Sequence, residues 1–187
     1  MIDPEAIFDS FPQLETERFV LRDIRPSDAP AVFACFADDA VTRYYDQPTY
    51  TDIKQAEDLI LHMRHSYRDR RSIRWGIARR SENLLLGTCG YMGWDRRSRK
   101  CSIGYELAQA YWRQGVMREV LTAVLSFGFQ QMNLNRIEAQ VIPGNIASEQ
   151  LLQKLGFQHE GLMRQSAYFK EAFYDLQLFA LLKADRL

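Results

Sequence analysis

Arg113-Gln114-Gly115-Val116-Met117-Arg118 reads as a glycine turn with an arginine at either end, opening a long helix. Val116, Val120, Leu121, Val124, Leu125 and Phe129 then recur at helical spacing and form one apolar stripe. A helix started in this way presents backbone N–H groups with no intrahelical partner, the positive end of its dipole and, here, two fixed cations. That combination suits a phosphorylated ligand. A strand expected at Cys101 to Leu107 leads into the turn, and another expected at Arg136 to Ile142 follows the helix.

Working outward, Pro143-Gly144 ends the second of these strands and Asn145 opens a short helix that runs to Leu155, with Gly156 at its C-terminal turn. Two last strands are expected at about Phe157 to Leu162 and Phe173 to Leu182. Upstream, Arg18 to Ile24 alternates as a strand. Pro26-Ser-Asp-Ala-Pro30 opens a helix that Ser27 can cap, with Ala29, Val32, Phe33 and Phe36 on one face. Thr51 or Asp52 starts a second helix carrying Ala56, Leu59, Ile60, Met63 and Tyr67. Ile73 to Arg80 and Leu84 to Trp94 read as a hairpin around Ser81-Glu82-Asn83. Hairpins mixed with strand–helix–strand crossovers predict an α/β (α+β) fold with a mixed sheet and helices on both faces.

The chain has 187 residues, 47% of them apolar and 26% charged, with no repeat or Pro/Gly/Ser linker, and reads as a single domain over 1–187. A formal net charge of +0 gives no field favouring nucleic acid or an anionic membrane. No apolar run approaches the roughly 20 residues that span a bilayer. Met1-Ile-Asp-Pro-Glu5 has no signal-peptide pattern, and three cysteines argue for a reducing compartment, so the expected location is the cytoplasm. With a turn near residues 97 and 98, Cys89 would oppose Glu106 and Cys101 would oppose Trp94, which argues against a disulfide. His62, His65 and His159 lack companions for a metal set. Arg68 to Arg71 and Arg96 to Lys100 read as a helix end and a solvated turn, with contact to RNA or an acidic partner the minority reading. Arg43 to Pro48 is either a packed aromatic loop or a wall of a cleft. Gly-x-Gly-x-x-Gly and Gly-Lys-Ser/Thr signatures are both missing, which removes nicotinamide and nucleoside-triphosphate readings.

Several motifs fall in a telling order. They are Thr16-Glu-Arg-Phe-Val-Leu-Arg22, Ile103-Gly-Tyr-Glu-Leu107, Tyr111-Trp-Arg-Gln-Gly-Val-Met-Arg-Glu119, Asn145-Ile-Ala-Ser148, Leu155-Gly-Phe-Gln-His-Glu-Gly161 and Tyr174-Asp175. Together the chain resembles the GNAT superfamily of acyl-CoA N-acyltransferases over about residues 14 to 183, and within it the ribosomal-protein N-terminal (alanine) acetyltransferase-like branch. The resemblance implies a central sheet of six to seven strands, mostly antiparallel, splayed between 101–107 and 136–142. It implies acetyl-CoA as co-substrate, with the pyrophosphate on the amides of Arg113, Gln114, Gly115, Val116, Met117 and Arg118, and the pantetheine arm along the splayed strand. Asn145 is then an N-cap, a coenzyme A contact, or both.

The family often places a Tyr later in this helix to protonate the departing thiolate, and the matching position here is Leu152. Ser148 is the candidate for meeting the sulfur, its alternative being an ordinary first-turn serine. Glu106 is the candidate base, directly or through a water, its alternative being an outward-pointing strand glutamate paired with an arginine. The Leu107 amide would steady the oxyanion. Tyr105, on the opposite side of the strand, reads as core. Some members carry a further glutamate where this chain has Ala167, and most carry Gly or Ala where it has Met117. Those two departures motivate the rival reading, a non-catalytic CoA-binding or interaction module. The acceptor implied is a primary amine, of a protein N-terminus or a small molecule, and no metal is called for. The oligomeric state is open, with a homodimer the base-rate expectation.

Overall fold

A computed structural model describes residues 4–186. Its elements follow in the order β1 (Leu14–Glu15), β2 (Phe19–Arg22), α1 (Ala29–Phe36), α2 (Asp39–Thr42), α3 (Ile53–Arg68), β3 (Ser72–Arg79), β4 (Leu85–Asp95) and β5 (Lys100–Leu107). Then come α4 (Val116–Gln130), β6 (Arg136–Val141), α5 (Ile146–Lys154), β7 (Gln158–Phe169) and β8 (Ala172–Leu182). One sheet runs β1-β2-β3-β4-β5-β6-β8-β7, antiparallel throughout except for β5 beside β6. The mixed, mostly antiparallel sheet is as expected, but it has eight strands rather than six or seven. The extra one, β1, is two residues long, too short to show a period in the sequence.

Strand alternation sends two cores to opposite faces. On one face α1 and α3 pack Ala29, Val32, Phe36, Ala56, Ile60 and Met63 against Ile24 and Leu85. On the other, the α4 stripe meets Ile73, Trp75, Ile77, Cys89, Tyr91, Cys101 and Ile103, with Leu152 of α5 closing the end. Gly128 lets α4 lie close to Tyr91, whose hydroxyl donates to Val124 O at 2.9 Å. Of the two candidate starts for α3, Asp52 is the cap: Lys54 N donates to its carboxylate, and Gln55 returns an acceptor to Asp52 N.

The start of α1 differs from expectation. Pro26–Asp28 is a short 3-10 turn and Ser27 caps nothing. Asp28 takes over: it accepts from Arg25 N at 2.8 Å and from both terminal nitrogens of Arg22 at 2.8 and 2.9 Å. Arg22, on β2, also donates to Asn83 Oδ1 at the β3–β4 turn. A buried, bidentate ion pair thus ties the helix start to two strands, and it competes successfully with a simple serine cap.

The turn between β4 and β5 carries an irregularity between Met92 and Asp95, where Gly93 adopts φ +65°. This bulge slips the register one place from the simple hairpin count. Cys89 faces Tyr105 and Thr88 faces Glu106. All three cysteines are free and buried, in line with the expectation that no disulfide forms. Among the described residues no helix is long and apolar enough to cross a membrane.

Candidate active site

The turn after β5 owes its shape to two left-handed residues, Arg113 at φ 60° and Gly115 at φ 73°. The second is a left-handed position that glycine adopts without the cost a Cβ brings. The first bond of the α4 ladder runs from Glu119 N to Gly115 O. The amides of Val116, Met117 and Arg118 therefore precede the ladder, and no side chain caps Gly115. Arg113 and Arg118 are exposed, and among the described residues neither enters an ion pair. Met117 points its side chain into the core, 8% exposed, so its bulk lies away from the amide edge.

A further cation comes from a distance that sequence reading did not bridge. Arg18 donates to Glu119 Oε2 at 2.7 Å and to Gln114 O at 3.1 Å, which braces the turn against β2. The partners lie 101 residues apart, with no periodic signal linking them.

Beyond the turn, β5 and β6 pair only at Lys100–Arg136, Cys101–Ile137 and Ser102–Glu138. From Ile103 onward β5 has β4 on one side and an opening on the other. The edge of that opening can be read from the ladder. Ala108 N donates to Leu86 O at 2.9 Å, so the antiparallel alternation turns the Leu107 amide away from β4 and toward the opening. The Leu107 carbonyl is already taken by Trp112 Nε1 at 2.7 Å.

Glu106 points to the α1/α3 face. It is buried rather than outward-pointing, yet it does pair with an arginine, as the alternative reading had it: Thr88 Oγ1 donates to one carboxylate oxygen and Arg74 Nη2 to the other, while Arg74 Nε donates to Thr88 at 2.7 Å. Gly104 leaves room for the Arg74 guanidinium, since a Cβ there would come within 3.2 Å of it. Burial pushes the Glu106 carboxyl above the usual carboxylate range, against the pull of Arg74 and Thr88. The loop that follows α2 closes over this network. Tyr45 sets its ring edge-on to Phe36, with Tyr50 stacked on the same ring, and Tyr45 feels the charges of Glu106 and Arg74. The aromatic loop is therefore both packed and adjacent to the carboxylate.

Across the sheet, Asn145 Oδ1 accepts from Ser148 N at 3.3 Å, so its side chain serves as the N-cap of α5. Leu152 is fully buried. Tyr105 corrects the sequence reading. Its ring packs toward the α4 core as expected, but its hydroxyl meets Ser148 Oγ at 2.6 Å. Burial pushes its pKa up to about 12, so it stays protonated at neutral pH. The opening thus has a carboxylate on one face, a hydroxyl pair on the other and a helix N-terminus at its end.

A cleft of about 460 Å³ borders the same turn at Gln114 and Val116 on the β2 and β3 side, lined also by Arg18, Arg79, Arg80 and Tyr111. Its arginines have carboxylate partners in Glu119, Glu82 and Glu15, so it offers little net charge to an anion. Among the described residues no group of three or more His, Cys, Asp or Glu is placed to hold a metal ion.

Comparison with known proteins agrees with this geometry. The profile of the acetyltransferase (GNAT) domain matches residues 18–158. YoaA of Bacillus subtilis, described as an uncharacterized N-acetyltransferase, is 43% identical over 92% of this chain and 98% of its own length. The ribosomal protein uS5 alanine N-acetyltransferase of Escherichia coli is 30% identical over 59% of this chain and 58% of its own. A crystal structure of a GNAT-family acetyltransferase from Bacillus anthracis superposes with a TM-score of 0.82 at 22% identity, covering 92% of this chain and 99% of that one. Fold, glycine turn, parted strands and sequence kinship converge, and the chain belongs to the GNAT family of acetyl-CoA-dependent N-acetyltransferases.

Proposed function

We propose that the chain acetylates a primary amine, foremost the α-amine of a protein N-terminus, by direct attack on the thioester. Acetyl-CoA when bound supplies an acyl carbon activated by a thiol leaving group. The amides of Val116, Met117 and Arg118, with Gly115 and Gln114 shaping the turn, hold the pyrophosphate, and Arg113 and Arg118 add charge. The Leu107 amide, turned toward the opening, donates to the developing oxyanion. Glu106 takes the amine proton, directly or through one water. Its carboxylate keeps lone pairs beyond the two that Thr88 and Arg74 engage. Ser148 meets the sulfur from the helix N-terminus. Asn145 acts chiefly by holding that helix start in place.

The observation that carries this reading is the opening itself: three paired positions, then separation, with unlike chemistry on its two faces. An α-amine has a pKa of about 8 and a lysine amine about 10.4, so an α-amine gives up its proton more readily to a carboxylate near neutral pH. The likeness to an alanine N-acetyltransferase supports the same acceptor class. The test is thiol release from acetyl-CoA over a panel of N-terminal peptides, polyamines and lysine side-chain amines. Turnover is expected to be highest on free peptide N-termini, and to vanish when they are pre-acetylated. Faster turnover on small polyamines would transfer the assignment to small-molecule amines.

A further inference from the structure

The pair formed by Tyr105 and Ser148 is not used by the steps above, which call on Ser148 alone. Tyr105 stands on β5, the strand that borders the opening, and Ser148 on α5, the helix across it. Their oxygens are 2.6 Å apart, and either atom can be the donor. A phenol is the stronger hydrogen-bond donor and an aliphatic hydroxyl the stronger acceptor, so the preferred polarity is Tyr105 O–H to Ser148 Oγ. Each hydroxyl has one proton. Once Tyr105 donates to Ser148, the Ser148 proton is free for another acceptor, and among the described residues Ser148 Oγ makes no second hydrogen bond that would hold it back from the opening. Polarisation along the chain strengthens that second donation.

We propose that Tyr105 is a positioning residue that holds Ser148 with its proton directed into the opening, toward the sulfur of the leaving thiol. This rests on the reading that Ser148 meets the sulfur. As the C–S bond breaks, its electron pair passes to sulfur. Ser148 donates a hydrogen bond to the thiolate, Tyr105 donates to Ser148, and the thiolate takes its proton from solvent. No net proton leaves either side chain. Because burial holds Tyr105 protonated, the donor is present throughout the neutral range.

A mutant cycle tests it. Tyr105→Phe removes one oxygen and keeps the ring that packs against the core. In the otherwise unaltered enzyme, kcat is expected to fall roughly fivefold to tenfold, the size of one hydrogen bond, with KM and the calorimetric Kd for acetyl-CoA within about twofold. In a Ser148→Ala background the same change is expected to cost nothing further. Equal losses in both backgrounds would show that Tyr105 acts independently of Ser148 and overturn the proposal. Loss of acetyl-CoA binding in Tyr105→Phe would overturn it too, by making Tyr105 part of the binding wall. If Ser148→Ala slows turnover but Tyr105→Phe does not, the proposal fails and the role of Ser148 stands. If Ser148→Ala leaves kcat intact, that role fails and the proposal with it.

Discussion

Replacing Glu106 with glutamine is expected to lower kcat by about a hundred- to a thousandfold, the usual size of a lost general base, while acetyl-CoA binds as before. Glutamine matches the carboxylate in shape and can still accept from Thr88 or Arg74 through its carbonyl, but it cannot take up the amine proton. The pH dependence follows from burial. The Glu106 carboxyl is pushed above its ordinary value of 4.5, so the acidic limb of kcat/KM is expected above that value. Activity falls as pH drops through the raised pKa, because the protonated acid cannot take up the amine proton. The contribution to stability has the opposite sense. Between the ordinary pKa and the raised one the folded state binds the proton more tightly than the unfolded chain, so acid favours folding at this group even as it stops the reaction. A Glu106→Gln enzyme with unchanged kcat, measured at saturating amine, would remove Glu106 from the proton path.

Asp28→Asn is expected to destabilise the fold by about 3 kcal/mol without touching chemistry directly. Breaking a buried ion pair from one side typically costs about 3–5 kcal/mol, since the partner charge is left uncompensated. The low end applies because Arg22 keeps its bonds to Asn83 Oδ1 and Asp23 O. Burial alone would raise the Asp28 pKa. The hydrogen bonds from Arg22 and Arg25 N outweigh it and hold the group below its usual 3.8. That stabilisation is complete above pH 3.8 and is lost as pH falls through the lower folded value. Urea unfolding at pH 7 and at pH 3 checks both parts. The variant's deficit is large at neutral pH and shrinks in acid. A deficit below 1 kcal/mol at pH 7 would mean that the pair is dispensable.

How far the sequence could be read depended on whether the signal was local. The α4 stripe of Val116, Val120, Leu121, Val124 and Leu125 lies on one face and is buried, because period and burial report the same physics. The glycine turn before it was legible for the same reason: Gly115 is needed where φ is positive. The place of Ser148 in the first turn of α5 also followed from local pattern. What escaped depended on register and on distance in the chain. The bulge between Met92 and Asp95 puts Thr88, not Cys89, opposite Glu106, and strand pairing brings Arg74 from β3 to the same carboxylate. No local pattern states either fact. Tyr105 was assigned to the correct face, yet a buried tyrosine ring and a buried tyrosine with a bonded hydroxyl look alike in sequence. The last hairpin extends through Phe169 and turns at Lys170 and Glu171, both at positive φ, where a glycine or asparagine would have marked the turn. Its first strand therefore runs past the expected end at Leu162.

In the proposed reaction, amides at the start of α4 grip a pyrophosphate and so place the thioester in the gap between β5 and β6. Residue-resolved amide hydrogen exchange with and without coenzyme A tests it most directly. Slowed exchange is expected at Val116, Met117 and Arg118 and at Leu107, with little change around Arg79 and Arg80. Protection confined to the cleft at Arg79 and Arg80, with the amides of 116–118 exchanging as fast as before, would contradict it.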